Sequence, residues 1–262
     1  MTTQFAFRVL KISAPRLTIL VAALVASSAG ATVFLNDNFD SYANQAAFQA
    51  VWTPNTTTAT LSLDQSVSPS QSVLAGPAAL RSLRSFTEIG TLTGSSDIVD
   101  FRFNFYDSNA SVAAYREYAE LDDSTAPTGS GQLFAMGLNN NIASTFYMAR
   151  ILGGDGGTGS GAFFKLDGAG APTRTTGWHT LEARIGDNQV DYYVDNVLSK
   201  TVNISTVTDR SLDTVKVGSG ITSTTAAYFD DVYVERLTPI PEPSAIAFSA
   251  LALAGLLARR RK

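Results

Sequence analysis

The stretch Ile98-Val99-Asp100-Phe101-Arg102-Phe103-Asn104-Phe105 most constrains what this chain can fold into. From Val99 onward it alternates apolar and polar with period two. A strand turns successive side chains to opposite faces, so Val99, Phe101, Phe103 and Phe105 share one face. Asp100, Arg102 and Asn104 share the other. Three phenylalanines in one phase demand a second layer to cover them, and the polar phase faces water. The rest of the central sequence reads the same way. Gly177 to Ile185 alternates, Gly186-Asp187-Asn188 is a turn, and Gln189 to Val194 returns as the next strand. Asp195-Asn196 is a tight turn into Val197 to Val202, and Ala226 to Glu235 is one more strand. The only helical signal inside this region is short, Ala43 to Val51, with Asn44 as its cap. The expectation is an all-β domain.

The two ends of the chain follow different rules. Arg8, Lys11 and Arg16 precede an apolar run from Leu17 to Ala26, and small residues follow, with Ala29 and Ala31 in an A-x-A arrangement. That order describes a secretory signal peptide over residues 1–31, with cleavage expected after Ala31. At the other end, Pro241-Glu242-Pro243 precedes an apolar run from Ala245 to Ala258 and then Arg259-Arg260-Arg261-Lys262. The run is about 14 residues, short of the ~20 that span a bilayer comfortably. The terminal Arg and Lys side chains can snorkel and extend its reach. Their charge favours the cytoplasmic side, which places the rest of the chain outside. Pro241 and Pro243 hold Glu242 in an extended segment that a protease can grip.

These three parts in order, residues 238–262, resemble the PEP-CTERM sorting signal of Gram-negative bacteria. The resemblance implies export by the secretion machinery and transient anchoring in the inner membrane. It also implies processing by exosortase, with a final place in the envelope or the extracellular polysaccharide matrix.

Between the ends, residues 32–237 are enough for one well-buried core. The whole chain carries −4. Without three basic residues of the leader and four basic and one acidic residue of the tail, 12 basic and 22 acidic side chains remain, a charge of −10. That excludes a basic nucleic-acid-binding face as the dominant surface. The chain has no cysteine, which excludes disulfides, thiolate metal sites and cysteine nucleophiles.

The hairpin from Gly177-Trp178-His179 to Asp195-Asn196 resembles the signature hairpin of laminin-G-like and concanavalin A-like jelly rolls. Phe39-Asp40-Ser41-Tyr42 and Phe229-Asp230-Asp231-Val232 resemble that family's opening and closing strands, which pair. The implied architecture is a two-sheet antiparallel sandwich of about a dozen strands.

Four chemistries were weighed against plain structural roles. Retaining glycosidases need two close carboxylates. Glu120 and Asp122 share a strand face, but Ser124 follows them there and Glu117 lies on the other side, so a solvated strand edge is the preferred reading. No catalytic residue is assigned. His179 is the only histidine, and its place beside Trp178 gives it a structural role. Phe163-Phe164-Lys165 is the closest fragment to an alginate-lyase strand and is a poor match. Calcium needs six to eight oxygen ligands. Asp37, Asp40, Asp230 and Asp231 are the candidate set if the first and last strands pair. The glycine-rich run 153–161 reads as a hairpin tip. Trp52, Tyr115, Tyr118 and Tyr147 are possible sugar-stacking rings that the sequence cannot sort from core residues. The expected function is non-enzymatic, a glycan-binding or structural adhesin module with extracellular polysaccharide as partner. A divergent glycan hydrolase or lyase, or a surface protein without a ligand, are the alternatives.

Overall fold

The computed structural model describes residues 30–55, 57–111, 116–125, 132–139, 145–152, 161–204 and 211–238. Residues 1–29 of the signal peptide and 239–262 of the sorting segment therefore lie outside the described residues, as do Tyr115 and most of the glycine-rich run. Among the described residues no helix is long and apolar enough to cross a membrane.

Along the chain come β1 (Ala31–Asp37), α1 (Gln45–Gln49), β2 (Thr53–Pro54), β3 (Thr60–Ser62), β4 (Ser72–Leu74) and β5 (Ser82–Ser85). Then follow β6 (Ile98–Asp107), β7 (Arg116–Asp122), β8 (Leu133–Asn139), β9 (Met148–Leu152) and β10 (Phe163–Lys165). The last are β11 (Gly177–Ile185), β12 (Gln189–Val194), β13 (Val197–Asn203), β14 (Thr214–Val217) and β15 (Ala227–Leu237). They build two antiparallel sheets. One runs β13-β12-β11-β6-β15-β4-β3, with β1 also paired to β15; the other runs β10-β9-β8-β7-β14-β5-β2. The domain is all-β with a jelly-roll-type double sheet.

The apolar phase of β6 is as expected, whereas Asp100 of the polar phase is only 3 % exposed. Phe101, Phe103 and Phe105 are at most 1 % exposed. With Phe229 of β15 they form a chain of ring contacts at 5.3–5.8 Å. The opposite sheet supplies Leu121, Phe134 and Met136 to the same core. Each such phenylalanine, cut to alanine, would cost about 3–5 kcal/mol. The hairpin turn at Asp195-Asn196 has φ of 49° and 64°, the left-handed pair of a type I′ turn. Helix α1 starts where expected: the Asn44 side chain accepts from Ala47 N.

The opening strand departs from expectation. First and last strands do pair, but through Ala31–Asp37 rather than Phe39 to Tyr42. Phe39 has φ of 62° and begins a turn, because Asp37 accepts its amide and Tyr42 N returns to Phe39 O. The pairing of β15 with β6 slips between Asp230 and Tyr233, and Asp231 there has φ of 47°. This bulge lets the strand carry Asp230 and Asp231 in different directions. Beyond Leu237 the pairing closes with Thr238, whose N and Oγ1 both donate to Gly30 O.

Candidate functional site

Strand alternation turns Ala119 and Leu121 of β7 into the core, so Tyr118, Glu120 and Asp122 face outward from the seven-stranded sheet. Register then assembles the face. Glu120 is opposite Lys216 on β14 and Ala135 on β8, and the row continues to Arg150 on β9 and Phe163 on β10. The next row is Tyr118, Gly137, Met148 and Lys165. Gly137 has φ of 151°, and a Cβ there would collide with the Glu117 carbonyl. Gly137 and Ala135 leave a low floor, across which the rings of Tyr118 and Phe163 meet at 5.5 Å. The guanidinium groups of Arg116 and Arg150 stand 5.7 and 5.4 Å from the Phe163 ring.

The charges on this face are unequal. Glu120 is bridged by Arg81 and by Lys216, the latter at 3.4 Å, and Asp122 is bridged by Lys216. Among the described residues the same face carries Arg81, Arg116, Arg150, Lys165 and Lys216 against two carboxylates. Arg81 shows the imbalance best. Burial pushes its guanidinium below the usual arginine value, and Arg150 nearby pushes the same way, against Tyr118 and Asp122. Its Nε is buried and has no hydrogen-bond partner. Burial also raises the Asp122 carboxyl, against the pull of Lys216.

The expectation of a solvated strand edge at Glu120 and Asp122 is corrected. Strand β7 is interior to its sheet, and the two side chains are 2 % and 6 % exposed. Both share Lys216, so neither stands free as a nucleophile or acid. Glu117 turns inward, as its phase requires. Burial raises its carboxyl to about 9, opposed by a Ser223 hydrogen bond, and its Oε1 has no partner.

Asp37, Asp40, Asp230 and Asp231 do not fit a calcium ion. Among the described residues no cluster of three or more acidic or histidine side chains has metal-holding geometry. Asp37 accepts from Phe39 N, Tyr42 Oη and Trp52 Nε1 and is paired with Arg84. Asp230 accepts from the amides of Val67 and Ser68 and from the Ser68 hydroxyl. Asp40 accepts from Ser70 and Gln71, and Asp231 from Asn104. The carboxylates that a metal would need already hold turns and a loop.

His179 is tied at both ring nitrogens, Nδ1 to Asp195 Oδ2 at 2.7 Å and Nε2 to Thr175 O at 2.9 Å. It ties the hairpin turn to the loop that precedes β11. Trp52 and Tyr147 are wholly buried and offer no ring to a ligand; Tyr118 lies on the outward phase of β7 but is itself only 4 % exposed. Arg81, Arg150 and Lys216 were missed because they come from three segments far from β7 in sequence. The available signal was the phase of β7: its outward positions read Arg, Tyr, Glu, Asp.

Several solved structures are similar in shape. "Cellulose induced protein, Cip1" is 16 % identical, covers 76 % of this chain and 96 % of its own, and has a TM-score of 0.49. An alginate lyase, Aly36B, is 13 % identical over 79 % of this chain and 99 % of its own, TM-score 0.47. The binding domain of botulinum neurotoxin serotype D is 10 % identical over 74 % of this chain and 44 % of its own, TM-score 0.44. No protein of curated function matches by sequence. Residues 239–262 match the PEP-CTERM protein-sorting motif. This chain thus carries the PEP-CTERM signal, the mark of export and of exosortase processing at the membrane of Gram-negative bacteria.

Proposed function

We propose that the exported domain is a non-enzymatic polysaccharide-binding module of the envelope or extracellular matrix. Its seven-stranded face takes an acidic, carboxylated chain. The observation that carries this reading is Arg81, half-buried and under the like-charge influence of Arg150 on a face where cations outnumber carboxylates. A carboxylate docked on this face relieves that repulsion and accepts charge-assisted hydrogen bonds. The setting sharpens the contrast, because the exported part carries −10 while this face carries a cationic surplus. Phe163, packed on the buried Tyr118, adds apolar ring surface on which a sugar can rest. A binding role suits the site better than hydrolysis, since Glu120 and Asp122 are held by shared cations.

Gel retardation of the purified protein by alginate and by polygalacturonate tests the reading. Retardation that weakens as salt rises supports it. Release of new reducing ends or unsaturated uronates would show an enzyme instead. Equal mobility with and without both polymers would leave the domain a structural surface protein.

A further inference from the structure

The opposite side of the molecule presents different chemistry. The outward phase of β6 continues past Asn104 to Tyr106. Register sets Tyr106 between Trp178 on β11 and Tyr228 on β15. The three rings stand in line across adjacent strands, with centroids 5.3 and 5.7 Å apart and interplanar angles of 65° and 82°. All three are half-buried, with part of each ring open to water. The row continues through Leu74 of β4 to Thr60 of β3. Five uncharged side chains therefore cross five strands, a strip about 19 Å long at the usual strand spacing.

Buried tryptophan and tyrosine normally satisfy their N–H and O–H groups. Here Trp178 Nε1 and the hydroxyls of Tyr106 and Tyr228 have no partner among the described residues, so the polar tips are available. A second row lies directly alongside. Thr180 Oγ1 donates to Asn104 Oδ1 at 2.9 Å, and Asn104 Nδ2 donates to Asp231 Oδ2 at 2.8 Å. This arrangement leaves one Asn104 amide hydrogen and the lone pairs of Thr180 Oγ1 open. Cross-strand aromatic pairs stabilise a sheet by themselves. That role does not require three half-exposed rings with free polar tips beside an oriented amide.

We infer that Trp178, Tyr106 and Tyr228 form a second carbohydrate site, a platform for an uncharged polysaccharide chain lying across the strands of the eight-stranded sheet. Sugar rings offer apolar C–H faces to stack on the aromatics and equatorial hydroxyls to meet Asn104, Thr180 and the ring tips. The ligand is neutral because the strip holds no charge and the exported part carries −10, which repels an acidic chain where no cation answers it.

The test uses the full chain in detergent and gels containing hydroxyethyl cellulose, mixed-linkage β-glucan, xylan or galactomannan. Tryptophan fluorescence is followed in parallel. The chain has two tryptophans, and Trp52 is wholly buried, so a ligand on the platform changes the signal of Trp178. The expected result is retardation by at least one of these polymers with quenching or a blue shift. Trp178→Ala and Tyr228→Ala should each weaken it about tenfold, while the distant Lys200→Ala retains it. Melting curves check that each variant is folded, and the two alanine variants guard against the loss of either one. No retardation by any of the four polymers overturns the proposal. So does retardation that both alanine variants leave unchanged. Alginate retention reads the other face separately, so failure of one site is distinguishable from failure of the other.

Discussion

The two outward faces of this sandwich are made by the same alternation, yet they handle polarity in opposite ways. The seven-stranded sheet sinks its charges: Glu120 and Asp122 are buried among Arg81 and Lys216, and the cations outnumber them. The eight-stranded sheet also buries two carboxylates, Asp100 and Glu182, paired with the more exposed Arg102 and Arg184, but it lays an uncharged aromatic row beside them. Buried ion pairs are sensitive to the loss of one partner, whereas half-exposed rings can be exchanged at little cost. The first face is therefore tied to stability as well as binding. The second can vary in its ligand without disturbing the fold.

The largest expected effect breaks the buried charge network. Lys216→Met leaves Asp122 without its cation and should lower stability by about 3 kcal/mol, measured by urea unfolding. No comparable loss is expected from Tyr106, Trp178 or Tyr228. A loss below experimental error would show that the charges are better solvated than their burial indicates.

The inward side of β7 gives the next effect. Glu117 titrates near 9 in the fold and near 4.5 in the free chain. Between these values the unfolded chain releases a proton that the folded chain keeps, so stability falls as pH rises through that window. Below about pH 4 both states are protonated and the penalty vanishes. Glu117→Gln should stabilise the protein by about 2 kcal/mol at pH 7 and flatten the decline of Tm from pH 5 to 8. Parallel pH profiles of the two proteins would mean that the carboxyl is ionised in the fold.

Affinity for alginate separates the faces next. Arg150→Ala should weaken it about tenfold, with a shallower salt dependence. Binding to neutral polymer should change little between low and moderate salt. The smallest effect is on the platform: Tyr228→Phe should shift stability by less than about 0.5 kcal/mol, as surface changes usually do. A larger loss would mean that its hydroxyl holds the sheet.

How much of this was legible in the sequence depends on the range of the interactions. The phase of β6, the Asp195-Asn196 turn and the Asn44 cap depend on neighbours within a few residues, and they read correctly. The pairing of first and last strands also read correctly, though it moved to Ala31–Asp37 because Phe39 enters a turn. Glu120 and Asp122 were misread because their burial depends on Arg81 and Lys216, which arrive from other strands. The four aspartates were read as one set because the first and last strands were expected to pair. Arg84, Trp52 and the loop at Val67-Ser68 claim two of them from a distance. The aromatic row was partly visible, since Tyr106 continues the polar phase of Asp100, Arg102 and Asn104. Its partners on β11 and β15 depend on register.

Strand β15 binds β6, β4 and β1, yet it is the last strand to be made. A chain delivered from its N-terminus must wait for residue 237 before the eight-stranded sheet can close. Until then Phe103 and Phe105 lack Phe229, and β1 has no partner at all. The pairing thus makes closure of the eight-stranded sheet depend on the segment that directly precedes the sorting motif.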